Sequence, residues 1–400
     1  MRIYTEDSLE PLRARKFLAE WKADGFISQE QYEHLEQQTS SELRTTNIFL
    51  RAVLFVFTAL CAVAASGLLF EVFLSRPSAG TQGIFFLLFA AGCYAGAEAA
   101  VSQYSLYRHG IEEALALCSV GFLYLGLSFI VAPDWSGSHA VYCVVTAVCS
   151  VFSLWIWHRF GLWYTFFAAM AFAACVPHYW TPSHSVQHVL IAGIYAAGLL
   201  VVGRVRARHR FDFLDGTYSV AEALLWLGIY LAINLKISAL ALPMYWLSPD
   251  LHAGAEFWNG FYWTTWVLTW CLPMLVLARG IGLKDRFVMG VGAVVAVLTL
   301  VSNKPYLGWE RHTWDPMLLG VFLTGIALYV RRWLSQGAGG VREGFTAARL
   351  SGRDKRWLDA GSSALSFVMP QSLTPGPQPS GTDVRMGGGA SGGGGTSRDF

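Results

Sequence analysis

Residues 52–74 read AVLFVFTALCAVAASGLLFEVFL, an apolar run interrupted by one charge, Glu71. The hydrocarbon core of a bilayer is about 30 Å thick, and a helix needs about 20 apolar residues to cross it. This stretch meets that requirement alone. Outward from it, nine more segments of the same kind follow: Gly83–Val101, Ile111–Ala132, Ala140–Trp157, Phe160–Val176, Val186–Gly203, Tyr218–Leu235, Phe257–Leu277, Phe287–Ser302 and Thr313–Val330. Only His158 and Arg159 part the fourth span from the fifth, which leaves the count open by one or two. The expected fold class is therefore all-α, a polytopic transmembrane bundle of about ten helices. Composition agrees, because 54% apolar against 14% charged residues is rarely reached by a water-soluble domain.

The net charge of +2 conceals a sidedness. On one side of a ten-helix topology stand Arg44, Arg51, Arg108, Arg159, Arg204, Arg206, Arg208, Arg210, Arg279, Lys284, Arg286, Arg331, Arg332, Arg342 and Arg349. The other side holds Arg76, Lys236, Lys304 and Arg311, a bias of 15 to 4. Basic loops stay cytoplasmic, so both termini are expected in the cytoplasm. All seven cysteines fall inside the spans without a Cys-x-x-Cys pair, as small packing residues do. The first 47 residues are polar, so the first span is expected to act as its own insertion signal.

Residues 1–47 read as a small cytoplasmic helical hairpin. Ala14, Phe17, Leu18 and Trp21 recur at helical spacing, and Gly25 ends that helix. Ser28 and Gln31 form a capping box for the next helix, with Ile27 and Tyr32 placed as a hydrophobic staple. The membrane domain occupies 48–333, and 334–400 read as a basic, then Gly/Ser/Pro-rich disordered tail. The run Trp21-Lys22-Ala23-Asp24-Gly25-Phe26-Ile27-Ser28-Gln29-Glu30-Gln31, ahead of a multi-helix membrane domain, resembles the bacterial membrane proteins grouped as domain of unknown function 2157. The resemblance is specific over roughly 20 residues and architectural beyond them. It implies a bacterial inner-membrane protein and brings no catalytic residues.

Carboxylates inside a membrane are costly, and each is a candidate site. Glu98, Glu112, Glu113 and Glu222 fall within two turns of the expected cytoplasmic surface and could form an acidic cluster for proton exchange or cation binding. Glu112, Glu113 and Glu222 open their helices, where the macrodipole favours negative charge, beside Arg108 or Arg204. Glu98 closes its helix, where the dipole disfavours it, so it needs a cation, a hydrogen-bond donor or a proton. On the same helix Gly92, Gly96 and Ala100 form a small-residue face for a close neighbour. On the outer face, His184 and His188 stand four apart near His178 and could ligate a metal, although such pairs are common by chance.

No nucleophile elbow, phosphate loop or metalloprotease motif occurs, and no cofactor is expected. Nucleic acid is not an expected partner, since the Arg204–Arg210 run follows from topology; the lipid bilayer is. Three roles stay open. The first is a carrier or ion-coupled permease using the acidic residues. The second is a scaffold or sensor recruiting a cytoplasmic protein partner through the hairpin and basic tail. The third is a membrane enzyme with an outer-face metal site.

Overall fold

The computed structural model describes residues 3–346 except 5, 24, 40–42, 74–77, 132–138, 209–214, 242–258, 310–311, 313, 338–340 and 343–344. Arg76, Arg210, His252, Arg311 and the tail beyond residue 346 lie outside the described residues. Two short helices come first, α1 (Glu6–Ala23) and α2 (Gln29–Gln38). The membrane domain follows as α3 (Ile48–Phe73), α4 (Ala79–Ser102), α5 (Ile111–Val131), α6 (His139–Phe160), α7 (Trp163–Trp180), α8 (His184–Arg208) and α9 (Asp215–Ile233). It continues through the short α10 (Leu235–Ala241) to α11 (Asn259–Leu283), α12 (Arg286–Tyr306) and α13 (Asp315–Ser335). Within the stretch read as tail, β1 (Val341–Arg342) pairs antiparallel with β2 (Phe345–Thr346), and the Arg342 guanidinium lies 4.4 Å over the Trp333 ring.

Among the described residues, nine helices are long and apolar enough to cross a membrane. Their large side chains point outward: Phe57, Leu60, Leu88, Val151 and Val321 are all more than half exposed. Water would penalise such a surface by roughly 25 cal/mol for each Å², whereas lipid tails do not. The chain is an integral, multi-pass membrane protein whose outer surface contacts the lipid bilayer. The interior is built from hairpins of consecutive helices (α4 on α5, α6 on α7, α8 on α9, α11 on α12), with α5 and α9 at the centres of the two halves.

Glycines set the closest approaches. A Cβ on Gly83 of α4 would lie 2.7 Å from the Gly126 carbonyl of α5, and one on Gly126 would lie 3.0 Å from the Gly83 carbonyl. Of the small-residue face expected at Gly92, Gly96 and Ala100, a Cβ on Gly92 would meet nothing within 4 Å, whereas one on Gly96 would lie 3.3 Å from the Leu115 side chain of α5, and Ala100 is buried. The buried side of α4 runs through Gly83, Ala90, Cys93, Ala97 and Ala100. The break between the fourth and fifth spans is also displaced from His158–Arg159. Helix α6 continues to Phe160 and ends at Gly161, whose φ of +73° provides the left-handed turn. Helix α7 then returns along α6: Trp157 packs on Phe166 at one end and Tyr142 on Tyr179 at the other.

The N-terminal hairpin is closed by local chemistry. Gly25, at φ +76°, lets the Phe26 amide donate to the Trp21 carbonyl (2.9 Å) and its own amide donate to Lys22 (3.1 Å), which terminates α1. Ser28 and Gln31 exchange side-chain-to-backbone bonds at the start of α2. Leu18 is buried, while Phe17 and Trp21, expected on the same apolar face, stay about half exposed. Ahead of α1, Ile3 donates to the Arg159 carbonyl (3.1 Å) and the Tyr4 hydroxyl to the Leu106 carbonyl (3.2 Å), pinning the segment onto the ends of α6 and the α4–α5 loop.

Candidate functional site

The helices alternate in direction, so the starts of α3, α5, α9 and α12 share one end of the bundle with the ends of α4, α6, α8 and α11. At that end, arginines meet carboxylates across helix boundaries. Glu98 of α4 receives a forked pair of bonds from Arg159 of α6, Nε at 2.8 Å and Nη2 at 2.9 Å. Tyr94, one turn earlier, adds its hydroxyl at 2.8 Å and is itself held by Trp155 Nε1 (3.1 Å). Glu113 of α5 takes the Arg51 guanidinium of α3, with Nε at 2.8 Å.

In the second half, Glu222 of α9 is 1% exposed and bound by Arg206 Nη1 (2.7 Å) and Arg279 Nε (3.1 Å). Arg206 also reaches Asp285, which accepts from Ser219 and caps α12 through the amides of Phe287 (2.8 Å) and Val288 (3.3 Å). This clamp joins α8, α9, α11 and α12.

The expected partners Arg108 and Arg204 are not the ones used. Helix α8 stays helical to Arg208, so Arg206 faces α9 while Arg204, two residues earlier, projects from nearly the opposite side. Glu98, Glu113 and Glu222 hold separate arginines rather than one another. Sequence reading missed Asp285, although an aspartate directly before an apolar run is an N-cap signal. It also counted Arg51, Arg159, Arg206 and Arg279 only as markers of sidedness.

Glu112 differs from its neighbour. It is 1% exposed, and its Oε1 accepts the His109 amide at 2.7 Å. Its Oε2 is buried without a hydrogen-bond partner among the described residues, as is the Tyr164 hydroxyl of α7. Tyr4 lies over this region with its ring edge-on to Tyr107, at a centroid separation of 4.9 Å. Burial first, and the charge of Glu112 second, push the Tyr4 phenol well above its ordinary range.

A second polar centre lies toward the opposite end of the same four helices. Helix α9 stops at Ile233, and the chain restarts as α10 at Leu235, with Asn234 fully buried at the break. Asn234 Nδ2 donates to the Tyr230 hydroxyl and to Ser302 Oγ, both at 2.8 Å. The Leu235 amide freed by the break donates to the Tyr306 hydroxyl at 2.7 Å. Thr299 joins Tyr230 at 3.0 Å, and Trp266 and Trp270 both donate to Asn303 Oδ1. The shortness of the ninth apolar segment was the visible trace of this centre: α12 runs on past Ser302 through Asn303, Lys304 and Pro305.

His184 and His188 open α8 as expected. His188 is buried, and its Nδ1–H donates to the Ala232 carbonyl of α9 at 2.6 Å, tying the two helices together. Among the described residues no three histidine, cysteine or acidic side chains are grouped to hold a metal. No family model, curated protein or solved structure matches the chain.

Proposed function

We propose that this membrane protein is a carrier for a small polar solute, set in a bacterial inner membrane with both termini cytoplasmic. The observation that carries the proposal is the break of α9 at Asn234 inside the bundle. Lipid tolerates interrupted backbone only where protein or a water-filled cavity satisfies it, and transporters build binding sites from such discontinuous helices. On the same helices, the Arg206–Glu222–Arg279–Asp285 clamp stands in the position of a closed gate. Glu222 and Asn234 are 12 residues apart, about 18 Å along a helix.

Access to the centre tests this. In a cysteine-free chain in sealed vesicles, Ser302→Cys is expected to react with a membrane-impermeant maleimide from the outer side. Adding Arg279→Ala, which weakens the clamp at its exposed arm, is expected to admit the reagent from the arginine-rich side. A cysteine that reacts from neither side in either protein sinks the carrier reading.

The topology has its own support: the 15-to-4 bias, and α7 lying end to end beside α6, which adds a tenth crossing to the nine apolar ones. Reporters fused after Arg210 and Arg286 should read cytoplasmic, and those near Ser136, Thr181 and His252 external. One reversal breaks the ten-crossing arrangement at that loop. Membership in the domain of unknown function 2157 family is part of the same proposal, supported by the Trp21–Gln31 run and its capping box.

One observation favours the scaffold reading as second choice. Phe17, Trp21 and Phe26 leave an apolar patch on the hairpin, 44%, 49% and 77% exposed, which suits a protein partner.

A further inference from the structure

Glu112 has no use in the gate or the polar centre, yet among the described residues it is the buried carboxylate that no arginine holds. Its neighbour Glu113 is matched by Arg51. Two carboxylates and one guanidinium thus share the first turn of α5 and the facing turn of α3, a surplus of one negative charge where Glu112 is 1% exposed. The other charged and titratable groups packed around this turn are pairs already made, exposed cations, two tyrosines and one imidazole. Glu98 of α4 and Arg159 of α6 bind each other. Arg108 is exposed, with its guanidinium 5.5 Å from the Tyr107 ring centroid. Tyr4 gives its proton to the Leu106 carbonyl, and His109 offers Glu112 its backbone amide while its own imidazole Nδ1 is buried without a hydrogen-bond partner among the described residues. Tyr164 of α7 contributes a buried hydroxyl with no hydrogen-bond partner among the described residues, its ring 6.2 Å from Phe55, one turn along α3 from Arg51.

We infer that Glu112 is a proton-binding site, with Oε2 taking up and releasing the proton beneath the cover of Tyr4. Burying an unpaired carboxylate is expensive, and a proton removes the surplus charge without a cavity. The amide bond to Oε1 holds the carboxyl in place in either state, leaving Oε2 as the oxygen that changes. A metal cation fits poorly, because the start of α5 and the Arg51 guanidinium both repel positive charge. As the coupling ion of a carrier, this proton rests on the proposal above; its binding to Glu112 does not.

Infrared difference spectra of the full chain in nanodiscs, recorded between about pH 5 and 8 where shifted groups titrate, test the site without a transport assay. The parent is expected to show a protonated carboxylic-acid carbonyl band that loses intensity as pH rises. Glu112→Gln should abolish that band. Glu112→Asp, which keeps a carboxyl and guards against misfolding of the amide variant, should retain a band with a displaced midpoint. Tyr164→Phe should shift the carbonyl frequency without removing the band. A parent spectrum with no such band overturns the inference, as does a band that persists unchanged in Glu112→Gln. Failure of cysteine access at Ser302 alongside a Glu112-dependent band would remove the carrier and leave the proton site standing.

Discussion

Arg206→Ala is expected to cost about 3–5 kcal/mol of stability, read as a large fall in the thermal unfolding midpoint in detergent. The reason is the pair of acceptors it leaves behind. Glu222 and Asp285 have side chains 1% and 3% exposed, and Arg206 itself is only 11% exposed, so water screens little of the loss. Asp285 keeps its Ser219 and backbone donors, and Glu222 keeps Arg279. Arg279 is 46% exposed and replaces little of what is removed. Arg279→Ala alone should therefore cost only about 1 kcal/mol. Combining Arg206→Ala with Glu222→Gln and Asp285→Asn should recover much of the loss, because the stranded charges go with the arginine. A loss below about 1 kcal/mol for Arg206→Ala would mean the clamp is solvated and cannot act as a gate.

Gly110→Ala is expected to destabilise the chain by about 3 kcal/mol or more, through backbone rather than charge. Gly110 sits at φ +103°, where an alanine incurs roughly 1–2 kcal/mol of strain. Its Cβ would also stand 2.3 Å from the Arg51 carbonyl and 3.0 Å from the Phe55 amide, so α3 must move. Such overpacking adds about 1–3 kcal/mol. The displaced turn carries Arg51, so the Glu113 clamp should loosen together with it. Gly121→Ala, further along α5 with nothing within 4 Å of the new Cβ, is the control. It should be neutral or stabilising by up to about 1 kcal/mol, since alanine is the better helix former. Equal midpoints for the two variants would show that the Gly110–Arg51 approach is not the constraint described here.

The periodic content of the fold was legible because each span carries its own evidence. Residues 52–74 must be a membrane helix whatever surrounds them, and Gly25, Ser28 and Gln31 set the hairpin by bonds a few residues long. Boundaries were less legible. Helix α6 ends at Phe160, three residues beyond Trp157 and just before Gly161, and arginines that read as loop residues complete the last turns of α8. Of the expected small-residue face, Gly96 and Ala100 meet neighbours and Gly92 does not, because spacing reports that residues share a side of a helix, not how much of that side a neighbour covers.

The candidate sites divide along the same line. That Glu98 needs a compensating group follows from its place at the end of a membrane helix, by electrostatics local to one segment. That the group is Arg159, 61 residues away, follows only from how α4 and α6 pack. Glu112 and Glu113 are adjacent and chemically identical in sequence. The approach of α3 at Gly110 directs Arg51 to Glu113 and leaves the Glu112 oxygen without a partner. Likewise Asn234 reads as one polar residue near the end of an apolar run, and becomes the hinge of a broken helix only because Tyr306 of α12 arrives to bond the amide that the break exposes. Hydrophobicity and helix-end chemistry are summed along the chain, so the sequence alone determined a multi-pass helical membrane protein with a capped N-terminal hairpin. Charge pairing and burial depend on distances between segments far apart in the chain, so only the tertiary structure decided which carboxylates are clamped, which one is left over, and where the bundle interior is polar.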